Sequence, residues 1–338
     1  MNHSRNNRKI LPIAKFNSFD RKVATEITTD KPKKSFPEFH ERKLLSMVKR
    51  GVPTKVSKTS YGVIKAYAAH TNKGKFKSLN EDRVTISLNV RKPDSFEGKW
   101  PKVSFFGVYD GHAGPTCSEF LKEKLHHYIF QNPSFIECPQ EAITSAFQKA
   151  EHDFTLLAKE TRDRSGSCAL VALFVEEMCY VANLGDSRAI LCTGDCVYPL
   201  TWDHKPSNKK EQHRIQGFGG TLYQTGNRQE PLGPLRVLPG KLSVSRAIGD
   251  IDAKLVEFGG IPGVVSAVPE VKSFNISAED RYLFLGCDGI YDFLSNEDLK
   301  NMISENHPKR SVEKVIFEAA LQGSCDNLTG VLVTLSKF

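Results

Sequence analysis

Short runs of apolar and β-branched residues, each the length of one β-strand, recur from residue 103 to the end of this 338-residue chain. Gly, Asp or Asn flank the runs, which cover 103–109, 168–175, 178–183, 189–192, 282–287 and 331–335. The runs between 168 and 192 are joined by tight connections such as Glu176-Glu177, which predicts an antiparallel meander. Helical periodicity occurs in separate blocks at 121–129 and 143–157, so the sequence predicts an α+β domain and not an alternating βαβ fold.

Residues 1–57 differ from the rest of the chain in charge. They hold 14 Lys and Arg against 5 Asp and Glu, a net charge of +9, whereas the remaining 281 residues sum to −1. This basic N-terminal extension lacks a sustained apolar period and is predicted to be mostly disordered, with a short helix near 38–49. Because the positive charge is confined to it, nucleic-acid binding by the domain is not expected. Lys31-Pro-Lys-Lys34 fits an acidic-partner site or a nuclear localisation signal, and equally a solvated tail.

The compartment follows from three absences in the sequence. No run of about 20 apolar residues occurs, so no transmembrane helix is predicted. The first residues lack the apolar core of a secretory signal. The eight cysteines are scattered without a CxxC pair, which favours reduced thiols over a disulfide framework. We therefore expect a cytoplasmic or nuclear protein, and a monomer.

The predicted globular domain, residues 58–338, contains one segment of different composition. Residues 207–245 begin with a polar helical stretch and then become rich in Gly and Pro. Long segments of this kind inside a domain are usually functional or mobile. We expect this one to be a flap beside the functional site.

Two of the apolar runs end in the same way, on Asp110-Gly111 and on Asp288-Gly289. A lone Asp-Gly pair is usually a turn, but here each carboxylate follows a predicted core strand. Further acidic sites are Glu81-Asp82, Asp186, Asp292 and Asp326-Asn327. Carboxylates at the rim of a core repel one another and are costly to desolvate, and a hard divalent cation removes that cost. All-oxygen ligation favours Mg²⁺ or Mn²⁺ over zinc, and two such ions can activate a water towards phosphorus.

Seven motifs in this order resemble the metal-dependent protein serine/threonine phosphatases of the PP2C (PPM) family. The resemblance covers about residues 58–337, and its motifs are Glu81-Asp82, Asp110-Gly111-His112-Ala113-Gly114, Gly185-Asp186-Ser187-Arg188, Asp203-His204-Lys205-Pro206, Ser245-Arg246-Ala247-Ile248-Gly249-Asp250, Cys287-Asp288-Gly289-Ile290-Tyr291-Asp292 and Asp326-Asn327-Leu328-Thr329. The fold it implies is an α-β-β-α sandwich of two antiparallel sheets flanked by helices, with the metals at one end. The implied activity is hydrolysis of phosphoserine and phosphothreonine in proteins, by direct in-line attack of a metal-activated water.

The resemblance also implies a role for each site residue. Asp110 would bridge two Mn²⁺ or Mg²⁺ ions, the Gly111 carbonyl would ligate one, and Asp288 and Asp326 would ligate the other. His112 would be the general acid that protonates the departing alkoxide. The positions that would support these ligands or surround a weaker third ion are Glu81, Asp82, Asp186, Asp292 and Asn327.

The chain departs from the family pattern at Lys77, where the family usually has an arginine. Arginine binds phosphate through two hydrogen bonds, whereas lysine is a point charge, so we expect Lys77 to bind substrate phosphate with a raised KM. Assistance from Lys73, Lys75 or Arg83 stays open, as does a merely solvated Lys77. A catalytically weak or inactive pseudophosphatase that binds a phosphoprotein or kinase as a scaffold is the alternative function.

Two of the motifs have structural alternatives. Asp186 could be a turn residue whose partner is Arg188. Asp203-His204-Lys205-Pro206 is interpreted as the start of a helix and not as a metal site. Cys287 lies in an apolar run and is interpreted as a packing residue.

Overall fold

The computed structural model describes residues 54–226, 231–304 and 307–335. Its two largest β-sheets are antiparallel and pack face to face. One sheet has six strands, in the spatial order β1 (Lys55–Ser57), β2 (Ile64–Asn72), β16 (Leu328–Leu335), β15 (Asp280–Gly286), β9 (Arg188–Thr193) and β10 (Cys196–Pro199). The other has five, in the order β14 (Glu270–Asn275), β8 (Met178–Leu184), β7 (Ala169–Val175), β4 (Val103–Tyr109) and β3 (Arg83–Ser87).

Strand β4 shows why the sequence contains unbroken apolar runs. All seven of its residues are buried. Phe106 and Val108 pack between the two sheets, whereas Phe105 packs on the opposite face against the helices. A strand that is covered on both faces needs an apolar residue at every position, and an alternating pattern would leave polar groups in the core.

Helices cover the outer face of each sheet. Helices α1 (Thr116–Phe130) and α2 (Pro139–Thr161) pack on the five-stranded sheet, as the helical periodicity predicted. Helices α6 (Asn296–Ser304) and α7 (Pro308–Leu321) pack on the six-stranded sheet, where Val315 and Ile316 join Phe284 and Leu332 in one cluster. The result is the expected α-β-β-α sandwich, and the predicted fold class is confirmed.

The predicted meander at 168–192 is wrong in its last strand. Strands β7 and β8 form the expected hairpin, with Val175 opposite Met178. Strand β9 instead pairs with β10 and β15 in the six-stranded sheet. The chain crosses between the sheets after Leu184, at Gly185, whose φ is +110°. Apolar runs of strand length identify strands, but they do not specify which strand is the partner.

The segment predicted as a long flap contains regular structure. It consists of helix α3 (Lys209–Gly217) and an antiparallel hairpin of β11 (Thr221–Gly226) and β12 (Pro231–Leu238). A flap function for this helix and hairpin stays a prediction. A separate small sheet of three two-residue strands has the order β13 (Ile248–Gly249), β6 (Gly166–Ser167) and β5 (Gly111–His112). Short helices α4 (Ile251–Lys254) and α5 (Asp288–Tyr291) complete the described α-helices, and Val256–Phe258 forms one turn of 3-10 helix.

The six-stranded sheet begins before the predicted domain boundary at residue 58. Strand β1 pairs with β2, with Lys55 opposite Ala69, so the last three residues of the basic extension belong to the sheet. The predicted disorder, the short helix near 38–49 and the lysines at 31–34 lie outside the described residues. Within the described ranges, none of the helices combines the length and apolar character needed to cross a membrane.

Candidate active site

Strand ends bring four predicted site aspartates to one end of the sandwich. Asp110 follows β4 and Asp186 follows β8; these strands run in the same direction because both are antiparallel to β7. Asp288 follows β15, and Asp326 precedes the antiparallel neighbour β16. Carboxylate oxygens of Asp110, Asp186 and Asp288 all lie within 4.8 Å of one another. The sequence-predicted carboxylates therefore converge in three dimensions.

Burial makes this cluster electrostatically unfavourable. It raises the pKa of Asp110 and Asp288 well above the usual range for aspartate, and the neighbouring carboxylates raise both further. Burial also raises the pKa of Asp186, against the opposing effect of Lys205. Such a group of buried like charges is stable at neutral pH only when protons or a cation compensate it. The donor set consists of oxygens alone, which suits Mg²⁺ or Mn²⁺.

Asp82 has an unusual environment for a carboxylate. Its side chain is buried, and neither of its oxygens has a hydrogen-bond partner in good geometry among the described residues, although the Thr329 hydroxyl and the Cys287 thiol lie close enough to lower its pKa in part. Burial raises its pKa to about 6. A buried carboxylate without a well-placed hydrogen-bond donor is normally avoided, so these oxygens fit a cation or a water bound to one. The residues present are therefore compatible with the metals that the sequence resemblance implied.

Asn327 holds the loop that carries Glu81. Its amide oxygen accepts a hydrogen bond from the Glu81 N–H at 2.8 Å, and its amide nitrogen donates to the carbonyls of Lys73 and Leu79 at 2.9 and 3.0 Å. Glu81 in turn accepts a hydrogen bond through Oε1 from the Gly114 N–H at 2.7 Å. The structure thus gives Asn327 a bracing role between β16 and the 73–81 loop.

Gly111 lies in a position without room for a side chain. A Cβ there would lie 2.5 Å from the Glu81 carbonyl oxygen and 2.8 Å from Ser118 Oγ. Glycine allows the Glu81 backbone to run beside β5, which brings the Glu81-Asp82 pair next to Asp110. Close packing therefore requires glycine at position 111.

The alternative reading of Asp186 as a turn residue paired with Arg188 is wrong. Arg188 binds Asp203 through two hydrogen bonds, of 3.0 Å from Nε and 2.7 Å from the second terminal nitrogen. Asp186 instead accepts a hydrogen bond from the Cys168 thiol at 3.4 Å and faces the other carboxylates. Because Asp203 binds the Arg188 guanidinium through both of its oxygens, Arg188 does not pair with Asp186. Asp186 therefore remains part of the aspartate cluster.

The predicted helix start at Asp203-His204-Lys205-Pro206 is also wrong. Helix α3 begins later, at Lys209, and its N-cap Asn208 accepts a hydrogen bond from the Lys210 N–H at 3.0 Å. Lys205 extends into the acidic site, where Nζ lies 2.6 Å from Asp292 Oδ1 and 3.8 Å from Asp186 Oδ2. Burial alone would lower the pKa of Lys205, but the carboxylates outweigh burial and raise it. Sequence reasoning gave Lys205 no site role, because its partners lie far away in the chain.

Lys77 lies at the edge of the site. Its Nζ is 2.6 Å from Asp326 Oδ1, and about a third of its side chain is exposed. Burial would lower the pKa of Lys77, but Asp326 and the other carboxylates raise it overall. Lys77 is thus a charged, partly exposed group beside a predicted metal ligand.

His112 is held by a residue that sequence reasoning had not assigned. Its Nε2 lies 2.8 Å from Oδ1 and 3.0 Å from Oδ2 of Asp250, which is 138 residues later in the chain. Burial would lower the pKa of His112, but Asp250 raises it overall. Asp250 had appeared in the sequence only as the end of the Ser245–Asp250 motif, without a spacing signal that linked it to His112.

The sequence model described as "Protein phosphatase 2C" matches residues 67–328, well over half of the chain. This chain belongs to the protein phosphatase 2C family. Proteins of this family are metal-dependent, in agreement with the aspartate cluster.

Curated members of the protein phosphatase 2C family from plants and animals match the same region. "Probable protein phosphatase 2C 59" of Arabidopsis thaliana is 33% identical over 241 residues, which make up 71% of this chain and 72% of that protein. "Probable protein phosphatase 2C 27" of the same organism is 34% identical over 69% of this chain and 59% of its own length. "Protein phosphatase 1A" of Bos taurus is 36% identical over 68% and 62%, respectively. The chain therefore spans between 59% and 72% of these relatives.

Solved structures share the fold of this protein phosphatase 2C domain. The serine-threonine phosphatase 2C from Toxoplasma gondii superposes with a TM-score of 0.70 at 21% identity, covering 84% of this chain and 99% of that one. A sex determining protein of C. elegans superposes with a TM-score of 0.67 at 24% identity, covering 82% and 66%. At these identities the likeness establishes the architecture.

Proposed function

We propose that this protein hydrolyses phosphoserine and phosphothreonine in proteins, with two Mn²⁺ or Mg²⁺ ions held at the aspartate cluster. The observation that carries the proposal is the convergence of Asp110, Asp186 and Asp288 within 4.8 Å, where desolvation raises the pKa of each carboxyl. A catalytic centre of this kind requires ligands that are preorganised before the ions bind, and the strand ends provide that rigidity.

Each predicted residue has a place in this proposal. Asp110 and the Gly111 carbonyl would hold one ion, and Asp110, Asp288 and Asp326 the other. Asp186 and Asp292 would surround a weaker third ion, beside Lys205. The residues that would hold waters or brace the ligands are Glu81, Asp82 and Asn327. When bound, the divalent cations supply an activated water and neutralise the carboxylates that hold them.

The chain's own groups would then act on the substrate. Lys77 would bind the phosphate oxygens and orient the phosphorus for in-line attack. As the bond between phosphorus and the ester oxygen breaks, His112 would donate a proton to the serine or threonine oxygen. That proton matters because an unprotonated alkoxide is a poor leaving group.

The direct test is an assay of the full chain on a phosphothreonine peptide during titration with Mn²⁺. We expect metal-dependent turnover, and we expect Asp288→Asn to lower it by more than about 100-fold because a ligand is lost. Asp195→Asn, in an exposed turn, is the matched control and should turn over normally. Calorimetric titration of Mn²⁺ into the same proteins reports ligand loss independently of turnover. A folded, metal-loaded wild type without turnover would overturn the proposal.

A scaffold function is the second candidate, favoured by Lys77 at a position where the family usually has an arginine. We further propose that the basic extension binds an acidic partner, and that the protein works as a monomer in the cytoplasm or nucleus. Phosphopeptide binding without hydrolysis at saturating Mn²⁺ would favour the scaffold.

A further inference from the structure

The contact between His112 and Asp250 joins two side chains of the site to which no metal-binding role is assigned. Both carboxylate oxygens face one ring nitrogen, at 2.8 and 3.0 Å. The Asp250 side chain is 5% exposed, whereas that of His112 is 28% exposed. The ring is therefore held against a buried carboxylate at Nε2, while about a quarter of the His112 side chain is exposed.

The small three-stranded sheet brings the His112 and Asp250 side chains together. Strand β6 lies between β5 and β13, so that Gly166 is opposite His112 on one side and opposite Gly249 on the other. A Cβ at Gly166 would lie 2.2 Å from Asp250 Oδ2 and 2.4 Å from His112 Nε2. A side chain at position 166 would therefore push the two partners apart. The small sheet brings His112 and Asp250 together across a position that only glycine can fill.

The backbone of Asp250 is itself strained. Its φ is +57°, in the left-handed region that non-glycine residues rarely adopt, and its N–H donates to the Ser165 carbonyl at 3.1 Å. Its side chain does not cap helix α4, which begins at the next residue. Strain of this kind persists only where the surrounding structure enforces it, and it occurs often at functional sites. Here the conformation directs the carboxylate towards His112.

We propose that Asp250 is the positioning residue for His112, an inference that rests on the proposed phosphatase function. Asp250 accepts the Nε2–H of the ring, and this fixes both the ring plane and the nitrogen that faces the substrate. Nδ1 then carries the proton that is transferred. As the water oxygen bonds to phosphorus and the ester bond breaks, this proton moves to the serine or threonine oxygen, and the ring is left neutral with Nε2–H still bound to Asp250.

The test uses two substrates that differ in their need for a proton. A phosphothreonine peptide releases an alkoxide, whereas p-nitrophenyl phosphate releases a stable phenolate that needs no acid. We expect Asp250→Ala to lower kcat on the peptide by about 10- to 100-fold and to change kcat on p-nitrophenyl phosphate by less than about 3-fold. Asp250→Asn keeps the shape and one acceptor oxygen, and we expect it to recover part of the loss. KM should stay near that of the wild type for both variants.

A double-variant cycle separates positioning from a general structural role. Because Asp250 acts through His112, Asp250→Ala should have no further effect on the peptide reaction in a His112→Ala background. Additive losses, or equal losses on both substrates, would overturn the proposal. Asp252→Asn is the control, since Asp252 lies on the same short helix and pairs with the exposed Arg164. If Asp250→Ala does not fold, Asp250→Asn and the cycle built on it decide the question.

An NMR measurement that does not depend on catalytic turnover tests this inference separately from the proposed function. NMR of histidine-labelled protein should show a hydrogen-bonded Nε2–H for His112 in the wild type, and this signal should be lost in Asp250→Ala. If the wild type is inactive on both substrates, the phosphatase proposal fails, whereas the NMR comparison still reports whether Asp250 holds the ring. An unchanged His112 signal in the folded variant would overturn the positioning role.

Discussion

The Lys77 ammonium lies 2.6 Å from Oδ1 of Asp326. The loop that carries Lys77 is tied to the neighbouring Asn327 at its two ends, through the carbonyls of Lys73 and Leu79. Lys77 is therefore not a freely moving surface lysine. Its position next to a proposed metal ligand means that a phosphate bridging to the metals would meet its charge.

We expect Lys77→Arg to lower KM for a phosphothreonine peptide by several-fold at nearly unchanged kcat, since a guanidinium binds phosphate through two hydrogen bonds. Lys77→Ala should raise KM by about 10-fold because a charged contact is lost. Steady-state kinetics at saturating Mn²⁺ measure both effects. Lys73→Ala and Lys75→Ala are the controls. A rise in KM with either control as large as that with Lys77→Ala would assign phosphate binding to the neighbouring lysine instead.

Asp288→Asn should have opposite effects on stability with and without metal. Burial and like charges raise the pKa of Asp288, so its ionised form destabilises the metal-free fold at pH 7. In EDTA, the variant should therefore be more stable than the wild type. With Mn²⁺ at 100 times its Kd, binding adds about 2.7 kcal/mol to the wild type, and the order should reverse.

Urea unfolding in EDTA and in Mn²⁺ measures this reversal. The exposed Asp195→Asn should change stability by less than about 0.5 kcal/mol in either buffer. A variant less stable than the wild type in EDTA would show that Asp288 is not an unfavourable charge in the metal-free protein.

Glu211 gives a prediction about acid stability away from the metal cluster. Burial would raise its pKa, but hydrogen bonds from Arg246, Ser245 and Arg214 lower it from 4.5 to about 2. Because the folded pKa is depressed, the stabilisation is fully present above about pH 4.5 and is lost as the pH falls towards 2. We expect Glu211→Gln to cost about 2 kcal/mol at pH 7, with a smaller difference at pH 3.

Thermal and urea unfolding across this pH range give the measurement for Glu211. Glu257→Gln is the matched control, because Glu257 pairs with the exposed Lys159 and such surface pairs contribute little. A cost that is the same at pH 7 and pH 3 would mean that ionisation of Glu211 is not the source of the stabilisation.

A substitution at Gly74 tests whether the position of the loop that carries Lys77 affects Asp326. A Cβ at Gly74 would lie 2.1 Å from the Asp326 carbonyl oxygen, and its φ is +73°. Gly74→Ala should therefore destabilise the fold by about 1–3 kcal/mol and also weaken Mn²⁺ binding, because Asp326 must shift. Gly194→Ala has the same backbone cost at φ +56° without any atom within 4 Å. Calorimetric Mn²⁺ titration should show weakened binding only for Gly74→Ala; equal affinities would refute the coupling.

Much of the fold could be predicted from local pattern. The continuous apolar run of β4 indicated a strand buried on both faces, and the spacing in α1 and α2 indicated helices with one buried face. The partner of β9 could not be predicted in this way. Strand pairing is decided by contacts between residues far apart in the chain, and β9 fits the edge of β15 better than it continues the β7–β8 hairpin.

In the candidate site, too, some residues could be predicted from the local sequence and others could not. Asp110 and Asp288 were predicted because a carboxylate at the end of an apolar run is a local signal in the sequence. Lys205, with its contacts to Asp186 and Asp292, and Asp250, with its contact to His112, have no such signal. Their roles depend on which strand ends and loops meet, and that is a property of the packed sandwich.

The sequence by itself determined the family, the fold class and the identity of the acidic residues, because these follow from short-range order: which residue types occur, in what spacing, and next to which apolar run. Only the tertiary structure decided which of them face one another. It paired Arg188 with Asp203 and so left Asp186 for the cluster, and it brought Asp250 to His112 across Gly166. The physical reason is that charge pairing and hydrogen bonding act over a few ångströms in space, whereas the partners are separated by tens to hundreds of residues along the chain.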